Sequence, residues 1–174
     1  MISISIPGWD GVHPALVHFP IALLLAAPIL LFVSLFARQA WRSWAIAALV
    51  LMVVGTVAAW LATASGHAAA QLVDKTPDLE RAIGRHESLA VTARDLFTLM
   101  TVAFGSWMVL QAALRKPLPT ALRTTVHALF LVVNVAAAIQ LLGAADRGGR
   151  LVHEAGVRAI VTQPVATDGG ADGR

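Results

Sequence analysis

The sequence predicts an all-α fold: an antiparallel bundle of four membrane-spanning helices with both termini outside. Hydrophobic residues make up 57% of the 174 residues and charged residues make up 13%. Soluble domains average about 45–50% apolar and about 25% charged residues, so this balance indicates a membrane protein. The chain contains no cysteine, which excludes a disulfide framework, a thiolate metal site and a catalytic thiol.

Four apolar runs occupy residues 12–37, 43–73, 96–114 and 124–145. They predict four helices at about residues 12–37, 43–73, 79–114 and 122–145, the third of which projects beyond the membrane at its start. Each run supplies the roughly 20 residues that a helix needs to cross about 30 Å of hydrocarbon. The runs are too long for strands, and they lack the alternation of a membrane β-barrel. No basic segment precedes the first run, so we expect a retained helix and not a signal peptide.

The connections between the runs agree with one domain. Pro117 and Pro119 interrupt the chain between the third and fourth runs, and Pro77 marks a turn between the second and third. We predict a single transmembrane domain over residues 1–160. Residues 161–174 are rich in Pro, Gly, Ala and Asp, which predicts a disordered tail.

The charge distribution predicts the orientation. The two short connections on one side carry five basic and no acidic residues, namely Arg38, Arg42, Arg115, Lys116 and Arg123. The opposite side carries the other eight basic residues and all ten acidic residues. The positive-inside rule therefore places the short connections in the cytoplasm and both termini outside. The net charge of +3 reflects these anchoring residues and requires no nucleic-acid partner.

Histidines are the main chemical signal. Five of the six lie at or near the predicted outer side, namely His13, His18, His67, His86 and His153. Counting 1.5 Å per residue along each helix predicts an outer layer of His13, His67 and His86. A deeper layer holds His18, Arg94 and Asp95. Pro20 cannot donate to the carbonyl of Leu16, so we expect a kink beside His18.

Two kinds of site fit this pattern. A b-type haem needs two imidazoles on opposite faces of a flat ring, and diagonal helices about 11–14 Å apart provide that span. His18 or His13 with His86 forms the diagonal pair, and Arg94 then pairs with a propionate. Alternatively, His13, His67 and His86 hold zinc or copper, because imidazole suits both metals.

The alternative to both sites is structural. Histidines at a membrane interface hydrogen-bond to backbone and water, and His127, the one histidine on the inner side, is most simply explained this way. Arg94 and Asp95 are either functional intramembrane charges or solvated at the headgroups. The small residues of the second helix, Gly55, Ala58, Ala59 and Ala62, favour close helix packing.

Four short blocks resemble a known family. The segment from His13 to Ala22, HPALVHFPIA, is similar to the opening signature of the domain of unknown function 2231 family of predicted bacterial membrane proteins. Blocks beginning at Ser65 (SGHAAA), His86 (HESLA) and Gly148 (GGRLV) resemble later blocks of that family. The resemblance implies the membrane fold, a bacterial inner-membrane location and importance for His13, His18, His67 and His86. It implies no reaction.

These observations together predict a small membrane subunit with an outer histidine cluster that binds haem or a metal and takes part in electron transfer. A redox partner protein or a quinone would exchange electrons with it, and the subunit would form an oligomer or join a larger membrane complex. The alternative is a non-catalytic assembly or interaction subunit in which the histidines are structural. No residue pattern identifies a catalytic group, so whether the chain is an enzyme is left open.

Overall fold

The computed structural model describes residues 11–74 and 76–157 and folds them entirely into helices and short connections. A single turn of helix comes first, and four long helices follow it. The helices are α1 (His13–Leu16), α2 (His18–Phe36), α3 (Trp41–Ala70), α4 (Pro77–Ala113) and α5 (Thr120–His153). The predicted tail, residues 161–174, lies outside the described residues.

The four long helices are membrane spans by length and composition. Together with α1, the helices α2 to α5 form four stretches long and apolar enough to cross a membrane. Large apolar side chains on all four remain exposed, among them Phe36, Val57, Val109 and Ile139. Such exposed apolar surface on every helix suits contact with lipid and not with water. The predicted all-α membrane fold is confirmed.

Neighbouring helices in the bundle run antiparallel, because their contacts pair rising residue numbers with falling ones. The contacting pairs are His13 with Ala62, Leu24 with Gly55, Trp60 with Thr98, His67 with Glu87, His86 with Ala144, and Phe104 with His127. Among the described helices, α2 and α4 both pack against α3 and α5. The helices α2 and α4 therefore face each other diagonally.

The core divides into two halves along the bundle axis. The half near the α2–α3 and α4–α5 connections is built around Leu31, Met52 and Phe104. The other half is built around Leu24, Phe97 and Leu141. Small residues let the helices approach closely: a Cβ on Gly55 would lie 2.7 Å from the side chain of Leu24. The close packing predicted for this part of α3 is present.

The first membrane span breaks at Val17, which separates α1 from α2. The break comes one residue before His18, and Pro20 explains it because proline cannot donate to the carbonyl of Leu16. Interrupted backbone at membrane depth is tolerated where it lines protein or a cavity. Val17 keeps helical dihedral angles, with φ −61° and ψ −25°, so the chain loses one hydrogen bond here without leaving the helical conformation.

Helix α5 continues to His153, eight residues beyond the predicted end at 145. The prediction was wrong because Gly143, Gly148 and Gly149 resemble helix-terminating signals. Two contacts outweigh that local tendency. Arg150 and Asp146 form an ion pair of 3.2 Å one turn apart, and Gly148 packs beneath a side chain of α4. Tertiary contacts of this kind routinely override weak local propensities.

Candidate functional site

A cavity opens in the bundle at the end that carries His13, His67 and His86, here termed the histidine end. Its volume of about 210 Å³ exceeds by more than tenfold the roughly 10–15 Å³ that one water molecule requires. Its apolar walls come from all four long helices and include Ile21, Leu24, Ala59, Phe97 and Leu141. Its polar lining consists of His13, Thr63, His67, His86, Glu87 and Arg94.

His13, at the start of α1, is fixed against α3 by its ring. Its Nδ1 lies 2.9 Å from the carbonyl oxygen of Ala62 and 3.1 Å from the hydroxyl of Ser65. Because a carbonyl oxygen only accepts, Nδ1 carries the hydrogen, and Nε2 of the neutral ring carries the lone pair. A Cβ on Gly66 would lie 2.7 Å from Cε1 of His13. Glycine at this position therefore leaves room for the imidazole.

His86, in the third turn of α4, is fixed against α5 in the same manner. Its Nδ1 donates to the carbonyl oxygen of Ala144 at 2.9 Å, so Nε2 of the neutral ring again carries the lone pair. A Cβ on Gly148 would lie 2.9 Å from Cε1 of His86. The ring therefore sits directly on the backbone of α5.

The two histidines share one arrangement on two different helix pairs. In each case an alanine supplies the carbonyl, and the glycine beneath the ring follows four residues later, about one helical turn along. Both rings line the same cavity. Among the described residues, neither Nε2 has a hydrogen-bond partner. A histidine with Nδ1–H on a backbone carbonyl is oriented to bind a metal through Nε2.

His67 lies at the rim of the cavity and is differently engaged. Its Nδ1 is 2.9 Å from Oε1 of Glu87, and its Nε2 is 3.2 Å from the amide nitrogen of Gln71. Its side chain is 62% exposed. Because both ring nitrogens already have partners at the water-exposed rim, His67 offers no lone pair to the cavity.

Arg94 lies deeper on α4, eight residues or about 12 Å beyond His86. Its guanidinium pairs with Asp95 at 2.8 Å and stacks over the ring of Trp60 at 3.8 Å from the centroid. The side chain is only 17% exposed. Within the described part of the chain, Arg94 is the single Lys or Arg of the cavity lining, and Asp95 balances its charge.

His18, predicted with His86 and Arg94 as the haem-binding set, is exposed and does not line the cavity. Five residues along a helix turn the chain by about 140°, so when His13 meets α3, His18 points away from it. The diagonal pair that lines the cavity is therefore His13 with His86.

The three-histidine metal site is not formed. Among residues 11–74 and 76–157, no three His, Cys, Asp or Glu side chains come together as an ion-binding group. The reason is the orientation of His67, whose ring turns to Glu87 and Gln71. The predicted set of His13, His67 and His86 thus shares one cavity without converging on one point.

The amino-acid sequence matches, over residues 10–160, the family described as predicted membrane protein (DUF2231). The chain belongs to the DUF2231 family. Its matched stretch contains every helix of the bundle, and the resemblance inferred from the four short blocks is confirmed. Neither a curated protein nor a solved structure matches the chain.

The four blocks that resemble the DUF2231 family meet at this cavity. The first supplies His13, and the second supplies Ser65 and Gly66, which contact its ring. The third supplies His86, and the fourth supplies Gly148 beneath it. Segments far apart in the chain therefore build one histidine pair with its supports.

Sequence reasoning missed the supporting residues, namely Ala62, Ser65, Gly66, Ala144 and Gly148. The available signal was the repeated spacing, since an alanine precedes a glycine by four residues near the end of both α3 and α5. Alanine and glycine are so common in membrane helices that this spacing alone carries little information. Only the contact with an imidazole in the folded chain shows that the alanine carbonyl and the glycine support a histidine.

His127 forms a different environment near the opposite end of the bundle. It is 1% exposed, and its ring makes edge contacts with Trp41 and Phe104. The hydroxyl of Ser34 donates to Leu31 at 2.6 Å, so it accepts from Nδ1 of His127 at 3.3 Å. This histidine is packed into the core by aromatic rings, in agreement with the structural role expected for it.

Proposed function

We propose that this DUF2231 protein is a small membrane redox subunit that holds one b-type haem between His13 and His86. The observation that carries the proposal is the matched pair of imidazoles, each with Nδ1–H on a backbone carbonyl and each resting on a glycine. His127 also has an Nε2 without a partner, but it is packed between aromatic rings, whereas His13 and His86 line one cavity together.

The lining of the cavity fits a flat, mostly apolar cofactor. The His13 segment leads into α2, which lies diagonal to the α4 helix that carries His86. Helices packed about 8–10 Å from their neighbours leave a diagonal of about 11–14 Å, room for a planar ring between two imidazoles. Leu24, Phe97 and Leu141 supply the apolar walls, which exclude water from the ring.

Each supporting residue has a definable task in this proposal. The carbonyls of Ala62 and Ala144 fix the tautomers and make each Nε2 a better ligand. Arg94 supplies a positive charge for a propionate, as the sequence predicted, while Asp95 and Trp60 hold its guanidinium in place. Bound haem would supply one-electron transfer, with a quinone or a redox protein at the histidine end as the exchange partner.

The test is the absorbance spectrum of the purified, detergent-solubilised protein, with haem quantified as its pyridine haemochrome. We expect a Soret band in the wild type. His13→Ala and His86→Ala should each lower the haem content about tenfold or more, since each removes an axial ligand. His18→Ala is the matched control, because this exposed histidine lies five residues from His13 and outside the cavity.

Three outcomes would contradict the proposal. A colourless, haem-free wild type from haem-supplemented cells would favour the assembly or interaction subunit with structural histidines. Stoichiometric zinc or copper without a Soret band would favour the metal alternative. A Soret band lost in His18→Ala but retained in His13→Ala would show that the axial ligand is His18 and not His13.

A further inference from the structure

Three arginines converge on a groove between α4 and α5 that is separate from the histidine cavity. Arg81 and Arg85 come from α4 and Arg147 from α5, and the groove is lined further by Gly84, Ser88 and Leu89. All three arginines are exposed. From these contacts we propose that the groove binds the phosphate group of an anionic membrane phospholipid.

Two of the three guanidinium groups in the groove have no acidic partner among the described residues. Arg81 pairs with Asp78, and the nearby Asp146 pairs with Arg150 at 3.2 Å, outside the groove. Among the described residues, Arg85 and Arg147 have no acidic partner. Two free guanidinium groups from different helices can donate paired hydrogen bonds to phosphate oxygens, for which arginine geometry is suited.

The depth of the groove matches the lipid headgroups. Helix α4 has 37 residues and is about 55 Å long, so it extends well beyond the roughly 30 Å hydrocarbon layer. The arginines lie in the first three turns of α4 and the last two of α5, outside the charge-free stretch 96–114. Charged residues at this level contact phosphate at little desolvation cost.

The shape of the groove favours a lipid over a soluble anion. Gly84 has nothing within 4 Å of the position of a Cβ, so the floor is open. Leu89 lines the groove and lies with Arg147 beside Gly143 of α5, about one helical turn closer to the hydrocarbon. An acyl chain attached to a phosphate held by Arg85 and Arg147 would therefore pass over the apolar side chain of Leu89.

The experiment measures the thermal unfolding midpoint of the purified full chain, followed by tryptophan fluorescence, with titrated short-chain lipids. Phosphatidylglycerol should raise the midpoint, whereas phosphatidylcholine and inorganic phosphate should not. In R85Q/R147Q we expect the apparent affinity for phosphatidylglycerol to fall about tenfold for each arginine removed. R150Q is the matched control, because Arg150 lies on the same helix but outside the groove.

A conservative variant distinguishes directed hydrogen bonds to a phosphate from general electrostatic attraction to an anionic lipid. R85K/R147K keeps both charges but loses the planar fork, so it should bind more weakly than the wild type. Equal binding of phosphatidylglycerol by wild type and R85Q/R147Q would show that the groove is not the binding site. Equal binding by wild type and R85K/R147K would show that paired hydrogen bonds from the planar guanidinium groups are not needed. An equal shift with inorganic phosphate would overturn the assignment to a lipid.

Discussion

At the scale of single residues, the glycines beneath the two imidazoles define the candidate site as much as the histidines do. The sequence identified His13 and His86 because unpaired titratable groups in an apolar chain are conspicuous. It did not identify Gly66 or Gly148, because a glycine acquires a role only when a side chain from another helix rests on it. The choice between His13 and His18 likewise depended on which ring contacts Ala62 and Ser65 of α3, a tertiary detail that spacing does not specify.

Two adjacent glycines of α5 test this role. In Gly148→Ala the new Cβ would lie 2.9 Å from Cε1 of His86, so the ring must shift and its bond to Ala144 must lengthen. We expect haem affinity to fall about tenfold or more, as for other residues that orient a metal ligand. The measurement is haem per folded protein after purification and dilution.

Gly149→Ala is the control for that substitution. The added Cβ has nothing within 4 Å, and alanine favours a helix interior by up to about 1 kcal/mol over glycine. Haem content should therefore match the wild type, with an unfolding midpoint equal or higher. If both variants retain haem equally, the glycine beneath His86 has no positioning role.

At the scale of the helices, the sequence predicted the number and positions of the membrane spans, but it did not predict where α5 ends. Runs of about 20 apolar residues leave no other structure able to satisfy the backbone in lipid, so the spans could be predicted from composition. The end of α5 could not, because the segment after Gly143 is mixed in character and remains helical through contacts with α4. Those same contacts bring Gly148 and His86 into the candidate site.

The orientation of the helices in the membrane remains a prediction, and the absence of cysteine makes it testable with single introduced cysteines. Gln39 lies in the basic connection between α2 and α3, and Asp74 lies between α3 and α4, at the histidine end; both are exposed. The positive-inside rule expects Asp74→Cys to react with a membrane-impermeant maleimide in intact cells. Gln39→Cys should react only after the membrane is opened.

Each variant serves as the control for the other, because the two positions lie at opposite ends of α3. Reporter enzymes fused to either terminus should also indicate a location outside the cytoplasm, in agreement with labelling of Asp74→Cys in intact cells. Labelling of Gln39→Cys alone in intact cells would reverse the orientation and place the histidine cavity on the cytoplasmic side, where a different electron partner would be required.

At the scale of the whole molecule, the two halves of the bundle are built for different tasks. The half at the histidine end contains the cavity and the two imidazoles proposed to hold haem. In the other half, Met52, Met100, Phe104 and Met108 fill the core, and His127 packs between aromatic rings. Sequence analysis predicted this asymmetry because five of six histidines lie on one side. The side chains that pack around His127 come from three other helices, so their contacts could not be predicted from spacing along one helix.

The last prediction follows from this asymmetry: each chain holds at most one haem. A second haem would need another ligand beside His127, and two thioethers in this half of the core, those of Met52 and Met108, already have hydrogen-bond partners. The sulfur of Met52 is 3.6 Å from the amide nitrogen of Asn134, and that of Met108 is 3.8 Å from Gln111. In His127→Ala we therefore expect unchanged haem per folded protein.

The same substitution should lower stability, by on the order of 2–5 kcal/mol, because it empties a volume enclosed by Trp41, Phe104 and Ser34. The two readouts, pyridine haemochrome per polypeptide and the unfolding midpoint, thus separate a packing role from a ligand role. Two haems per wild-type chain, with one lost in His127→Ala, would show that the inner half also carries a cofactor. Electrons would then cross the membrane within one subunit, whereas a single haem at the histidine end confines the exchange to that surface.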